Sequence, residues 1–386
     1  MIEMARRHMA HLETGTVDQA PEVFRVPASH YTDPERWQLE IDRVFKRVPL
    51  VLAMGCEIKE PGDYKAIEAA GTPVLITRGT DGKARAFLNA CRHRGTPLVA
   101  AGTSGSTRHF VCPYHAWTYD PQGQLVRITD NPRFGDVDKS CLGLRSLPTA
   151  ERAGLVFVVL TPDAPLEIDA FLAGYDKVLE YFDFGNMHLI ATNQVVGPNW
   201  KLAYDGYLDF YHLPILHKNS FGPQMSRDAF YDAWGPHQRV TGPEPRLLEL
   251  KDKSDQEWDA NLIAGGVWTI FPHVSYAGDP RGGMLSQLFP GPTPDRSITI
   301  QNHLVAKLPD EAGMKKALKN VEFLKHVVED EDYFTGLQIQ TVLETGEIPE
   351  VLFGRNESGG QRFHQWLDRL IDAADPGAAL ALFKDG

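Results

Sequence analysis

Asn89-Ala90-Cys91-Arg92-His93-Arg94-Gly95 and Cys112-Pro113-Tyr114-His115-Ala116-Trp117 are the two stretches on which the reading of this chain turns. Each pairs one cysteine with one histidine, and eighteen residues separate His93 from Cys112. Thiolates and imidazoles are both metal ligands, so two such loops in succession predict a shared metal site. The plainer readings are a structural zinc ion or a disulfide between Cys91 and Cys112. Zinc knuckles usually open with two cysteines spaced C-x₂₋₄-C, and neither loop has that spacing. His109 lies three residues before Cys112 and competes with His93 as a ligand.

Two thiolates on one iron and two neutral imidazoles on the other make the ligand set of a Rieske [2Fe–2S] cluster. Cys91, His93, Cys112 and His115 supply that set. Replacing two anionic thiolates by neutral histidines raises the reduction potential, which suits a cluster that accepts electrons from a ferredoxin and passes them on.

A chain of 386 residues is long enough for about two or three domains and a large core. Its 42% hydrophobic and 23% charged residues are ordinary for a soluble globular protein. A net charge of −12 argues against nucleic acid as a partner, because phosphate binding needs a basic face. Met1-Ile2-Glu3-Met4-Ala5-Arg6-Arg7 leads into no apolar stretch, so no signal peptide is expected. The longest strongly apolar run, Gly154 to Leu160, is far short of a membrane span. A cytoplasmic protein without membrane contact is expected. Four cysteines make no disulfide framework, and Cys56 and Cys141 are expected to be free buried thiols.

Residues 32 to 46 predict an amphipathic helix, capped by Thr32 or Asp33, with Pro34 in its first turn and Trp37, Ile41, Val44 and Phe45 in one stripe. From Val48 to about Leu160 the pattern changes to short β runs broken by glycine and proline, and both Cys/His loops are expected at the tips of consecutive hairpin-like turns. Pro162 and Pro165 mark a boundary. Beyond it, helical patterns at 166 to 183 and from Asn199 flank a strand near His188 to Val196. Strands return over 261 to 307, and helices follow over 311 to 345 and 358 to 383. The segment 235 to 260, rich in proline and charge, reads as a loop that could cover an active site.

The helix opened by Asn199 carries a second constellation, Asp209-Phe210-Tyr211-His212-Leu213-Pro214-Ile215-Leu216-His217. On a helix, Asp209 and His212 share a face. His212 and His217 would stand about 140° apart around an ideal helix and could not bind one ion together. Pro214 disfavours helical geometry at Leu213, and a break there lets the imidazoles converge. Two histidines and one carboxylate form the facial triad of non-haem Fe(II) oxygenases, which leaves positions open for O₂ and substrate. The acid must come from elsewhere, and Val328-Glu329-Asp330-Glu331-Asp332-Tyr333-Phe334 is the candidate stretch. Residues 330 and 332 lie on opposite sides of a helix, so only one faces inward, and periodicity alone does not choose.

Together these residues resemble the terminal oxygenase (α) component of Rieske non-haem iron aromatic-ring-hydroxylating oxygenases. The resemblance covers most of the chain, from Tyr31-Thr32-Asp33-Pro34-Glu35 through the cluster loops, Asn199-Trp200-Lys201, the Asp209/His212/His217 set, Phe271-Pro272 and Phe289-Pro290, to Glu331-Asp332…Gln340…Thr345-Gly346. In the family the acid-to-Gln spacing picks Asp332 as the third iron ligand. Two departures stand out: Ala116 replaces a usual glycine, and Asp205-Gly206 replaces a pair that is often acid-Asn.

The resemblance implies an α+β fold, with an all-β Rieske domain over 48–161 inserted in a helix-grip catalytic domain. That catalytic domain has a twisted antiparallel sheet and is formed by the N-terminal helical part, 1–47, and by 162–386. It implies a [2Fe–2S] cluster, a mononuclear Fe(II), O₂ and a small organic substrate as partners, and electrons from NAD(P)H through a separate flavin reductase or ferredoxin. It implies a homotrimer as well, in which Asp209 carries electrons from the neighbouring chain's cluster histidine, His115 or His93, to the iron. Tyr207, Leu208, Leu216, Phe221, Trp268 and Phe271 around the expected iron suit an apolar, aromatic or carbocyclic guest. Aromatic cages for quaternary ammonium groups use the same residue types, so a demethylase or hydroxylase of a quaternary ammonium or methoxy compound is the alternative. A Rieske electron carrier without oxygenase chemistry is the third reading; His212 and His217 argue against it.

Overall fold

The computed structural model describes residues 1–385. Helix α1 (Ile2–Thr14) buries Ala5 and Met9 against Leu247, Leu250 and Ile263. Helix α2 (Pro34–Glu40) starts as its sequence predicts. The Asp33 carboxylate accepts the N–H of Glu35 at 2.8 Å and Pro34 sits in the first turn, where its missing donor costs nothing. After Glu40 the helix widens into a π turn over Ile41–Phe45.

Residues from Leu50 onward form small β layers. Leu50–Met54, buried at every position, pairs with Leu155–Val158, which pairs with Thr149–Arg152. A five-stranded antiparallel sheet follows the order Ser146–Leu147, Ala84–Leu88, Thr72–Arg78, Asp63–Ala69, Ser104–Ser106. A three-stranded sheet holds Phe110–Val111, Thr118–Tyr119 and Leu125–Arg127. Only the second Cys/His loop is a hairpin tip, because Phe110–Val111 pairs directly with Thr118–Tyr119. The first loop joins strands that pair with different neighbours. It closes on itself instead, with the Thr96 carbonyl accepting from Cys91 N at 2.9 Å and the Cys91 carbonyl accepting from Gly95 N at 2.8 Å.

The larger part is built on an antiparallel sheet of seven strands: β1 (His188–Gly197), β2 (Phe230–Trp234), β3 (His237–Thr241), β4 (Val267–Ile270), β5 (Val274–Asp279), β6 (Gly282–Pro290) and β7 (Ser297–Val305). Their order is β1-β7-β6-β5-β4-β3-β2, so only β1 is displaced from its place in sequence. Helix α3 (Trp200–Leu208) lies on one face. Its Tyr204 hydroxyl donates to the Val274 carbonyl at 3.2 Å and its Tyr207 hydroxyl to Ser286 Oγ at 3.3 Å. Glu40 pins α2 to α3 by accepting from Lys201 Nζ at 2.6 Å and from Trp200 Nε1 at 2.8 Å. Both charges are fully buried, so each is tolerable only because the other is there. Beyond the short helix α4 (Leu213–Leu216), α5 (Glu311–His326) and α6 (Phe334–Leu343) are joined by a π-helical stretch, Val327–Tyr333. Helix α7 (Ser358–Asp372) closes the core, and Phe24–Pro27 pairs with Glu350–Phe353 to tie the two ends of the chain together.

The segment 235 to 260 is not a loop throughout: His237–Thr241 is strand β3, and Leu247 and Leu250 are buried against α1. Cys141 is exposed and Cys56 only half-buried, with burial and the neighbouring Glu57 charge pushing the Cys56 thiol up to about 12. Among the described residues, no helix is long and apolar enough to cross a membrane.

Candidate metal centres

The two Cys/His loops meet over a small core of their own, which includes Leu75, Phe87, Leu98, Phe110, Trp117 and Tyr119. Cys91 and Cys112 are free thiols, each 3% exposed, so the disulfide reading fails. The Tyr119 hydroxyl sits 3.3 Å from Cys91 Sγ and accepts the N–H of Arg92 at 3.0 Å. His93 and His115 bring their Nδ1 atoms within 3.1 Å of each other. Trp117 stacks on His93 at 5.1 Å, Phe134 meets the same ring edge-on, and Tyr114 lies 3.7 Å from the His115 ring. The pairs thus separate by burial, two buried thiols and two adjacent, half-buried imidazoles. The four donors do not converge on one point as a zinc site requires. A two-iron cluster with thiolates on one iron and imidazoles on the other fits this donor set. His109 is exposed, immediately before Phe110–Val111.

Ala116 closes the second loop at φ +55°, donating its N–H to the Cys112 carbonyl at 2.9 Å. That left-handed conformation is costly for a residue with a Cβ, by about 1–2 kcal/mol, and free for glycine. Glycine also adds disorder to the unfolded chain, which takes back part of the gain. Ala116→Gly is therefore expected to stabilise the cluster domain by up to about 1 kcal/mol, measured as a raised midpoint for thermal loss of the cluster's visible absorption. An unchanged or lowered midpoint would show that the loop carries no strain at this residue.

At the second centre, α3 ends at Leu208 and Asp209 is already extended (φ −107°, ψ 120°). The break therefore falls five residues earlier than Pro214, which instead sits in the first turn of α4. Asp209 reaches His212 across a turn and not along a helical face, its Oδ2 lying 2.9 Å from His212 Nδ1. Helix α4 then carries His217 back toward His212, the ring centroids 5.1 Å apart. Asp332 Oδ1 is 3.1 Å from His217 Nε2 and 3.6 Å from His212 Nε2. The donor atoms of His212, His217 and Asp332 all lie within 4.8 Å of one another. Asp330 points away, pairing with His326 on the exposed side of the helix.

Glu331 is the residue that sequence reasoning passed over. Its Oε2 accepts from His217 Nδ1 at 2.6 Å and from Ser220 Oγ at 2.8 Å. On an α-helix two consecutive acids could not both reach one imidazole, but the wider i→i+5 turn over Val327–Tyr333 lets Glu331 and Asp332 take its two nitrogens. Burial opposes charge on His217, yet Asp332 and Glu331 outweigh it and hold its pKa above the ordinary imidazole value.

A cavity of about 250 Å³ opens beside His212 and Asp332. Tyr207 and Leu216 line it, as expected, whereas Leu208, Trp268 and Phe271 are buried in the core, and the exposed Phe221 meets the His217 ring edge-on. Gly206 faces open space in its wall, and Asp205 beside it is held by the Tyr31 hydroxyl at 2.8 Å and His364 Nε2 at 3.0 Å. Gln340, remote from the metal donors, accepts from Asn199 N and donates to the Tyr31 carbonyl, so its spacing from Asp332 reflects the docking of α6 on the start of α3.

Residues 168–373 match the ring-hydroxylating α-subunit catalytic-domain family, and residues 49–148 match the Rieske [2Fe-2S] domain. The oxygenase subunit of glycine betaine monooxygenase from Chromohalobacter salexigens is 34% identical over 239 residues, covering 62% of this chain. The chain spans about half the length of that relative, 51%. The carnitine monooxygenase oxygenase subunit of Escherichia coli K12 is 27% identical over 321 residues, 81% of this chain and 82% of the relative. Rhodococcus naphthalene 1,2-dioxygenase bound to indole shares the fold, with a TM-score of 0.75, 22% identity and coverage of 97% of this chain and 98% of its own.

Proposed function

This chain belongs to the ring-hydroxylating α-subunit family, and from that premise we propose that it is the terminal oxygenase of a multicomponent system. In this reading it takes electrons from a separate reductase or ferredoxin and uses O₂ to oxidise a small organic molecule with an apolar body. The observation that carries the reading is the pairing, in one chain, of a cluster donor set with a two-histidine, one-carboxylate set that leaves coordination positions free. An electron-delivery centre needs somewhere to deliver.

Residues 48–161 would form the cluster domain, with 1–47 and 162–386 forming the catalytic one. Cys91 and Cys112 would hold one iron of the cluster, and His93 and His115 the other. His212, His217 and Asp332 would hold the mononuclear Fe(II), which when bound supplies the site at which O₂ is activated. The remaining side chains orient these ligands. Asp209 takes the Nδ1–H of His212 and Glu331 that of His217, which fixes both tautomers with the Nε2 lone pair toward the metal. In a homotrimer, Asp209 also meets His115 or His93 of the neighbouring copy and carries electrons across the interface.

Glu331→Gln keeps an acceptor but removes the charge that makes His217 a better base. It is expected to weaken Fe(II) binding roughly 10–100-fold in a chelator competition while leaving the cluster spectrum intact. The function itself is tested by oxygen uptake over a compound panel with NADH and a surrogate reductase. Substrate-dependent uptake that vanishes in His217→Ala supports the reading. A chain that binds no iron beyond the cluster and consumes no oxygen would be a Rieske electron carrier.

The neutral aromatic reading of the substrate draws on the apolar part of the cavity wall. The quaternary ammonium reading is favoured by the names of two relatives, glycine betaine and carnitine monooxygenase subunits.

A further inference from the structure

We propose that Asp205 and Glu357 make the cavity beside His212 and Asp332 selective for a small organic cation whose nitrogen is alkylated. The proposal rests on the oxygenase reading only in treating this cavity as the substrate site. Four carboxylates line it, those of Asp205, Asp209, Asp332 and Glu357, with no lysine or arginine. Among the described residues none of the four has a lysine or arginine within 4 Å.

Two of these charges have other duties. Asp332 faces both imidazoles and the proposed iron, and Asp209 is spent on His212. Asp205 and Glu357 remain. Tyr31 and His364 hold Asp205 in place, and His364 uses Nε2 to do so. Its Nδ1 is buried without a partner. Asp205 is therefore anchored with no lysine or arginine against it. Glu357 is anchored by the N–H of Gly354. Burial pushes its carboxyl up, and the charges of Asp209 and Asp205 push it further, as expected of an acid facing like charges with no counter-ion.

A neutral guest would strip water from the partly exposed Glu357 and return nothing. An anion would meet repulsion from two sides. A bare ammonium would lose its hydrogen bonds to water against the apolar part of the lining, Leu202, Ile339, Val351 and Phe353. Alkyl groups on the nitrogen spread the positive charge over a surface that suits both the acidic and the apolar lining, to which Tyr207 and Tyr333 also belong.

Choline and its uncharged isostere 3,3-dimethylbutan-1-ol differ in little but the charge. Calorimetric titration of the holoenzyme with each is expected to show choline binding at least tenfold tighter. Glu357→Gln should cut that ratio at least threefold, as should Asp205→Asn, with the alcohol's own affinity unchanged or improved. Should Asp205→Asn misfold by losing its bonds to Tyr31 and His364, the partly exposed Glu357→Gln variant carries the test alone. Equal affinities, tighter binding of the alcohol, no binding of choline in the millimolar range, or a ratio untouched by Glu357→Gln would each overturn the proposal. Metal analysis separates this from failure of the oxygenase reading. A chain that loads its mononuclear iron but binds the isosteres alike refutes charge selection alone, whereas one that cannot load iron refutes the larger reading.

Discussion

Asp332→Ala is expected to abolish mononuclear iron binding and turnover while the Rieske spectrum survives, and Asp330→Ala to leave all three close to wild type. Asp332 Oδ1 stands within 3.6 Å of both imidazole Nε2 atoms and is the only anion among the three converging donors. Without it, a divalent ion would face two neutral ligands in a partly buried site. The loss should exceed the roughly 10–100-fold that follows from removing an outer hydrogen-bonding partner. Asp330 stands on the exposed side of the same helix and pairs with His326 one turn earlier, a contact of the kind worth only a few tenths of a kcal/mol. Iron content by metal analysis, alongside the cluster's visible absorption, reads both variants at once. The reverse ranking would move the ligand to Asp330 and require the Val327–Tyr333 stretch to rotate.

The difference between these neighbouring acids also marks how far the sequence could be read. Local signals were legible: the Asp33-Pro34 helix start, the short β runs between glycines and prolines, and the strands of residues 261 to 307. Features that depend on departures from regular geometry were not. Glu331 reaches His217 only because the helix widens to a π turn there, and an α-helical wheel places its neighbour on a different face. The same limit applies at Asp209, where the pairing with His212 expected from helical spacing is made across a turn after the helix has ended. Long-range placement was hidden for another reason. Glu357 enters the cavity from the start of α7, almost 150 residues after Asp209, and nothing local distinguishes it from a surface acid. Proline and charge made 235 to 260 resemble a loop, although β3 completes its hydrogen bonds with β2 and β4, which no local pattern could reveal.

Cys112→Ser and His115→Ala are each expected to remove the cluster absorption entirely while leaving a folded catalytic part. A serine hydroxyl stays protonated where a thiol ionises, so the iron loses an anionic ligand with little change in side-chain volume. The damage should stay local. Cys91 and Cys112 belong to the small core with Trp117 and Tyr119, whereas Trp200, Trp268 and Phe271 belong to the large one, which already includes the strand Leu50–Met54. Far-UV circular dichroism and retained binding of mononuclear iron would report the surviving core. The choice of first-loop histidine is decided by a second pair of variants. His93 offers Nδ1 to the same point as His115 and is braced by Trp117, so His93→Ala should lose the cluster. His109 is exposed and its backbone is occupied with Thr107, so His109→Ala should keep it. A normal Rieske spectrum in His93→Ala, with loss in His109→Ala, would transfer the ligand to His109. The loop between Gly105 and Phe110 would then have to fold inward toward thiols that are buried, Cys91 against the Tyr119 hydroxyl.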